Sequence, residues 1–141
     1  MNTYIICLLT ALESVVYNLL LAMGFEENAS ITGQSHDGGV DVVGTLVVGG
    51  VIRIRMAVQA KKWKKNVGIE IVQRLRGNPD AIHRERMIIT TSDFTSDARK
   101  DAHEPHSPIW LINGTRLVDL LIEHSIGVKT EPYSLLEIEK I

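Results

Sequence analysis

Apolar residues change their spacing from segment to segment along this chain, and each change of period predicts an element. Residues 4–23 are dense in Leu and Ala and stop at Gly24, which predicts a helix. Residues 25–32 carry a weaker signal and predict a short strand, followed by turn chemistry in "TGQSHDGG" (32–39). Residues 40–48 and 51–60 are rich in Val and Ile and flank Gly49-Gly50, a strong hairpin signal. "VGIEIVQRLRGN" (67–78) places apolar residues at 69, 72 and 75 and ends near a Gly, which predicts a helix. "RMIITTS" (86–92) reads as a buried strand, and "FTSDARKDAH" (94–103) as a polar helix capped by Thr95 or Ser96. "PIWLI" (108–112) is a second buried strand, and "TRLVDLLIEHS" (115–125) an amphipathic helix. The order α-β-β-β-α-β-α-β-α opens as a meander and then alternates. That order predicts an α/β fold with a mixed sheet flanked by helices on both faces.

Composition narrows the picture. A length of 141 residues predicts one domain, 1–141, with a weakly patterned tail over 129–141. A formal net charge of -2 removes any global basicity, so a polyanion site has to be a local patch. The one cysteine, Cys7, allows no disulfide within the chain and fits a reducing, cytoplasmic compartment. The apolar stretch "YIICLLTALESVVYNLLLAMG" approaches membrane-spanning length, but Glu13 stands in its middle. A carboxylate there costs about 2.5 kcal/mol in a bilayer, so a buried helix is expected instead.

Parity then picks out a site. Side chains on a strand alternate faces, so Gln59 and Lys61 share a face with Arg53, Arg55 and Ala57. Ile54, Met56, Val58 and Ala60 take the other face, which is apolar. A turn at Gly49-Gly50 pairs residues whose numbers sum to about 99 or 100, which sets Asp41 across from residues 58–59. A carboxylate, an amide oxygen and a lysine on adjacent strands have a physical use. Hard divalent cations take oxygen ligands, and Mg²⁺ is held by one or two carboxylates together with water and phosphate oxygens. A lysine beside such a centre orients water or stabilises charge building on phosphorus. Together these parts suit phosphodiester hydrolysis.

"HDGGVDVVG", the hairpin, and "VQAKKW" together resemble the Mrr-type restriction endonuclease catalytic domain, one of the PD-(D/E)xK nucleases. In Mrr-type members glutamine replaces the second acid, giving D…QxK, matched here by Asp41…Gln59-Ala60-Lys61. "VQRLRGN", "IITTSDFTSDARKDA" and "IWLINGTRLVDLLIEHSIGV" extend the similarity over roughly residues 10–128. The resemblance implies a restriction-endonuclease-like core and Mg²⁺-dependent hydrolysis of double-stranded DNA, with Mn²⁺ as a substitute. The activity implied is restriction-type defence against foreign or modified DNA. A structure-selective nuclease such as a Holliday junction resolvase, or an inactive DNA-binding module, are the alternatives within the same fold. A homodimer and a separate recognition domain or subunit are the further partners expected.

The resemblance also assigns Glu13 to the metal site beside Asp41 and Gln59, with Lys61 completing the catalytic set. Glu13 sits among Leu9, Leu12, Val16, Tyr17 and Leu20, on or near the apolar stripe of the first helix. A buried carboxylate is costly unless paired or metal-bound; at the edge of the stripe it faces water. Lys62, Lys64 and Lys65 follow the motif around Trp63 and are candidate phosphate contacts, with Trp63 on the core or on DNA. Arg74 and Arg76 extend this patch, and Gln73 and His36 are further candidates near the site. Thr90, Thr91 and Ser92 end a central strand and are either phosphate ligands or ordinary strand-end hydroxyls. His103 and His106 have metal-compatible spacing but no further ligand nearby, which argues against zinc.

Overall fold

The computed structural model describes residues 12–34, 40–78, 81 and 83–126. Among the described residues nine elements follow one another: α1 (Leu12–Met23), β1 (Ser30–Gln34), β2 (Val40–Val48), β3 (Ile52–Lys61), α2 (Ile69–Arg76), β4 (Glu85–Thr90), α3 (Ser96–Ala102), β5 (Ile109–Ile112) and α4 (Gly114–Glu123). They form a five-stranded sheet in the order β1-β2-β3-β4-β5. The first three strands are antiparallel, whereas β3, β4 and β5 run parallel. This is the α/β mixed sheet and the element order expected from the pattern.

The hairpin follows from its turn. Gly49 and Gly50 have φ of 62° and 72°, the left-handed pair that a two-residue turn matching strand twist requires. The register runs without a slip from Val48↔Ile52 to Val40↔Ala60, so Asp41 faces Gln59. Parallel pairing then sets Gln59 beside Ile88 and Lys61 beside Thr90.

Alternation along the strands feeds two apolar layers. On one face Val42, Met56, Val58, Ala60, Met87, Ile89 and Ile112 pack with Val16, Leu19 and Leu20 of α1 and Leu117 of α4. On the other, Ala57, Ile88 and Ile109 pack with Ile71, Val72 and Leu75 of α2, Phe94, and Ala98 and Ala102 of α3. Both crossover helices thus cover the face to which Gln59 and Lys61 belong by parity. Among the described residues no helix is long and apolar enough to cross a membrane.

The predicted strand over 25–32 starts later, overlapping the observed one at residues 30–32. Phe25 makes only an isolated bridge to Leu46, the chain turns where Ala29 N–H donates to the Glu26 carbonyl, and β1 starts at Ser30. Three polar residues, Glu26-Glu27-Asn28, interrupt the pairing at that turn. The later boundaries shift by a few residues. Val67 leaves the predicted helix to bridge Phe94, Thr95 is the cap of α3, and Asn113 caps α4 by accepting from Arg116 N–H.

Close backbone approach fixes the far side of the sheet. Gly114 N–H donates to the Ser92 carbonyl at 2.7 Å, and a Cβ on Gly114 would stand 2.3 Å from the Thr91 carbonyl oxygen. Only glycine lets the start of α4 lie this close to the end of β4.

Candidate active site

The site collects at one edge of the sheet. Asp41 starts β2, while Gln59 and Lys61 close β3; Thr90 closes β4, and Asn113 follows β5. The parallel strands therefore end here, the edge at which open α/β sheets place ligands. Gln59 Nε2 donates to Asp41 Oδ1 at 3.2 Å, and both side chains are half-buried. They border a cleft of about 80 Å³ whose wall includes Ala57, Leu75, Asn78 and Ala81, several times the room a single water needs. Asn78 was not singled out by sequence; its only local mark is the turn "RGN" after α2.

Lys61 is 7% exposed, a depth unusual for a lysine. Its Nζ lies 5.5 Å from the centroid of the Trp63 ring, and Lys65 Nζ lies 5.0 Å from the same ring. Both distances fall within the range of cation–π attraction. Trp63 itself is half-buried and packs against the α2–α3 layer, so the ring is a core-anchored seat for two ammonium groups.

The other candidates separate. Lys64 and Lys65 are exposed after β3, and Lys62 is half-buried. Gln73 and Arg74 stand on the exposed side of α2. Arg76 is not part of this patch. Its guanidinium donates to Asp101 Oδ2 and the Asp101 carbonyl, both at 2.7 Å, and to the Ser107 carbonyl. It joins the end of α2 to the end of α3, and its donors are engaged within the protein. Glu13 lies in α1, but its side chain is outside the described residues, and so is the whole of His36.

The three hydroxyls at the end of β4 face inward. Thr90 is buried and shares a 2.8 Å hydrogen bond with Ser92, and Thr91 Oγ1 donates to the Trp63 carbonyl at 3.1 Å. His103 turns its Nδ1 to the Arg99 carbonyl at 2.6 Å, and both His103 and His106 are exposed. Among the described residues no group of three or more His, Cys, Asp or Glu side chains is arranged to hold a metal ion. Asp41 and Gln59 are nonetheless hard oxygen donors on rigid strands beside a cleft. This donor set fits a divalent cation that keeps part of its water.

Asp93 is a hub that sequence reading missed, because its side-chain partners converge only once α3 and β5 are in place. Its Oδ1 accepts from Arg99 Nη2 at 2.5 Å, from Phe94 N–H at 2.8 Å and from Asn113 Nδ2 at 3.2 Å. The Arg99 hydrogen bond, followed by those of Phe94 and Asn113, holds this carboxyl below the usual aspartate range. A folded pKa below the unfolded one gives stability that is present above the unfolded pKa and lost as pH falls through the folded one. Asp93→Asn is expected to melt below the parent near neutral pH. The gap should close in strong acid; a constant gap down to pH ~2 would contradict the linkage.

Comparison with known proteins bears on the family and the fold. Residues 9–121 match the Mrr_cat family model, described as a restriction endonuclease. The type IV methyl-directed restriction enzyme EcoKMrr of Escherichia coli (strain K12) is 34% identical over 133 residues, covering 92% of this chain and 42% of that protein. The chain thus spans less than half of that relative. The DNA modification-dependent restriction endonuclease AspBHI shares the fold at a TM-score of 0.64 and 24% identity, over 91% of this chain and 34% of that one. With a family match across most of its length, the chain belongs to the Mrr-type restriction endonuclease catalytic-domain family.

Proposed function

We propose that this chain is the catalytic unit of a metal-dependent endodeoxyribonuclease. It hydrolyses phosphodiester bonds of double-stranded DNA in restriction-type defence against foreign or modified DNA. The observation that carries the reading is the Asp41–Gln59 pair at the cleft, with Lys61 two residues further along the same strand face. Residues 1–141 act as one nuclease domain, with a separate domain or subunit recognising the target.

Asp41 and Gln59 would hold Mg²⁺, or Mn²⁺ in its place, with Glu13 as the third ligand. A bound cation supplies Lewis acidity and lowers the pKa of water. Asp41 brings the negative charge, and Gln59 brings an amide oxygen without charge. Lys61 sets a donor cation against the scissile phosphate, where an ordered group stabilises charge developing in the transition state. Burial and the Trp63 ring limit how far that ammonium wanders.

Cleavage of a supercoiled plasmid with Mg²⁺ and with Mn²⁺ tests the reading. Lys61→Met keeps much of the aliphatic stem and removes the charge, and is expected to cut on the order of 10²–10³-fold more slowly. Cleavage at the parental rate would sink the assignment.

Lys62, Lys64, Lys65, Gln73 and Arg74 grip the phosphate backbone beside the site. Each lysine that neutralises a phosphate releases counterions, so removing Lys64 and Lys65 should flatten log Kd against log salt by about 0.9 per lysine. An unchanged slope in a binding titration would remove them from the interface.

A further inference from the structure

The hydroxyls closing β4 have no part in the chemistry above, yet one of them reaches the segment that carries Lys61. Thr91 N–H donates to the Lys61 carbonyl at 3.1 Å, the last rung of the parallel ladder. Beyond Lys61 the chain leaves the sheet. There Thr91 Oγ1 donates to the Trp63 carbonyl at 3.1 Å, so a side chain continues the pairing where the backbone no longer does. The two bonds bracket residues 61–63.

The anchor is itself rigid. Ser92 N–H donates to Thr90 Oγ1 at 3.1 Å, and the Ser92 carbonyl accepts from Gly114 N–H at 2.7 Å. The far end of the connection to α2 is tied separately, by Val67 N–H to the Asp93 carbonyl at 2.8 Å and by Thr95 N–H to the Val67 carbonyl at 3.0 Å. The Thr91 hydroxyl therefore adds little to the docking of α2. It acts on the place where Trp63 presents its ring to Lys61 and Lys65, 5.5 and 5.0 Å from their ammonium groups.

We propose that Thr91 is a positioning residue for Lys61, acting through the Trp63 carbonyl. Its hydroxyl fixes the Trp63 ring and so sets where the Lys61 ammonium stands. The inference rests on the reading of Lys61 as a catalytic residue. Misplacement by about 1 Å far from the chemistry can cost a hundredfold in rate, so one hydrogen bond here has leverage on cleavage without touching DNA.

The test compares parent, Thr91→Val, Thr91→Ala, Thr91→Ser, Lys61→Met and the Thr91→Val/Lys61→Met double variant. Cleavage of a supercoiled plasmid is followed at saturating enzyme, and DNA affinity is measured without the cleavage metal. Both variants lacking the hydroxyl should cut about tenfold or more slowly at near-parental affinity. Two such variants are used so that a folding defect in one does not decide the result. Thr91→Ser should restore the rate, and Thr91→Val should add no loss once Lys61 is already Met, because coupled residues are non-additive. In a Trp110→Phe background, Trp63 emission should shift in Thr91→Val and return in Thr91→Ser. Parental rates in both hydroxyl-free variants, a Ser variant as slow as Val, or a full additional loss in the double variant would each overturn the proposal. A parental rate in Lys61→Met would instead overturn the catalytic reading of Lys61 itself, and this inference with it.

Discussion

Asp41→Ala is expected to lower DNA cleavage on the order of 10³-fold or more, with folding retained. The size follows from position. Asp41 is the carboxylate paired to Gln59 at the cleft, and Gln59 brings no charge to replace it. Without Asp41 a cation at this site would keep Glu13 and the uncharged Gln59 oxygen, and would lose one of its two proposed carboxylates. Asp41→Asn separates charge from structure. An asparagine oxygen still accepts from Gln59 Nε2, so that variant should melt like the parent while cleaving as poorly as the alanine variant. Plasmid nicking and a thermal melt on the same preparations check both parts. Nicking by either variant at the parental rate would remove Asp41 from the chemistry.

Gly114→Ala should produce the largest loss of stability, about 3 kcal/mol or more and roughly 10 °C in Tm. The added Cβ would meet the Thr91 carbonyl oxygen at 2.3 Å, the Thr91 carbonyl carbon at 2.9 Å and the Ser92 carbonyl oxygen at 3.2 Å. All three are backbone atoms, so no rotamer relieves the clash. Either α4 moves off the sheet, exposing Leu117, Leu120 and Leu121, or the end of β4 moves and takes Thr91 with it. Gly44→Ala is a useful contrast. Its Cβ would stand 2.7 Å from the Ala29 Cβ and 3.1 Å from the Ala29 Cα and from Phe25 Cδ2, with no backbone carbonyl among these neighbours. A denaturant or thermal melt showing less than about 1 kcal/mol lost in Gly114→Ala would contradict this account.

Much of the fold was legible because its signals are local. The Val and Ile runs on either side of Gly49-Gly50 specify the hairpin and place its register to within one residue; Val51 also lies between the strands, so the observed partners sum to 100, as at Asp41↔Gln59, where a loop of Gly49-Gly50 alone would give 99. Alternation then separated Gln59 and Lys61 from the Met56, Val58 and Ala60 face without any coordinates. What was illegible depends on contacts between residues far apart in sequence. Nothing near Arg76 announces that Asp101 and Ser107 will occupy its guanidinium, so it read as one more cation beside Arg74. Asp93 looked like a loop residue because Arg99 reaches it only once α3 has formed, and Asn113 only once β5 has docked beside β4. Trp63 was ambiguous between core and DNA because its packing depends on α2 and α3 docking together. The strand before the hairpin was started too early because Phe25 pairs for one residue only before the chain turns.

The glycine turn has a consequence for what can be built onto this domain. Asp41 and Gln59 lie eight and nine residues from Gly49 and Gly50, roughly 27 Å at ~3.4 Å per residue. Val48, Val51 and Ile52 around that turn are exposed. Equal lengthening of both strands at the tip leaves the two partners facing each other, whereas a one-residue deletion between them turns one to the opposite face. The tip is thus the natural splice point for a foreign module, such as a reader of chosen DNA marks. The catalytic pair would stay in phase while the specificity of the whole was exchanged.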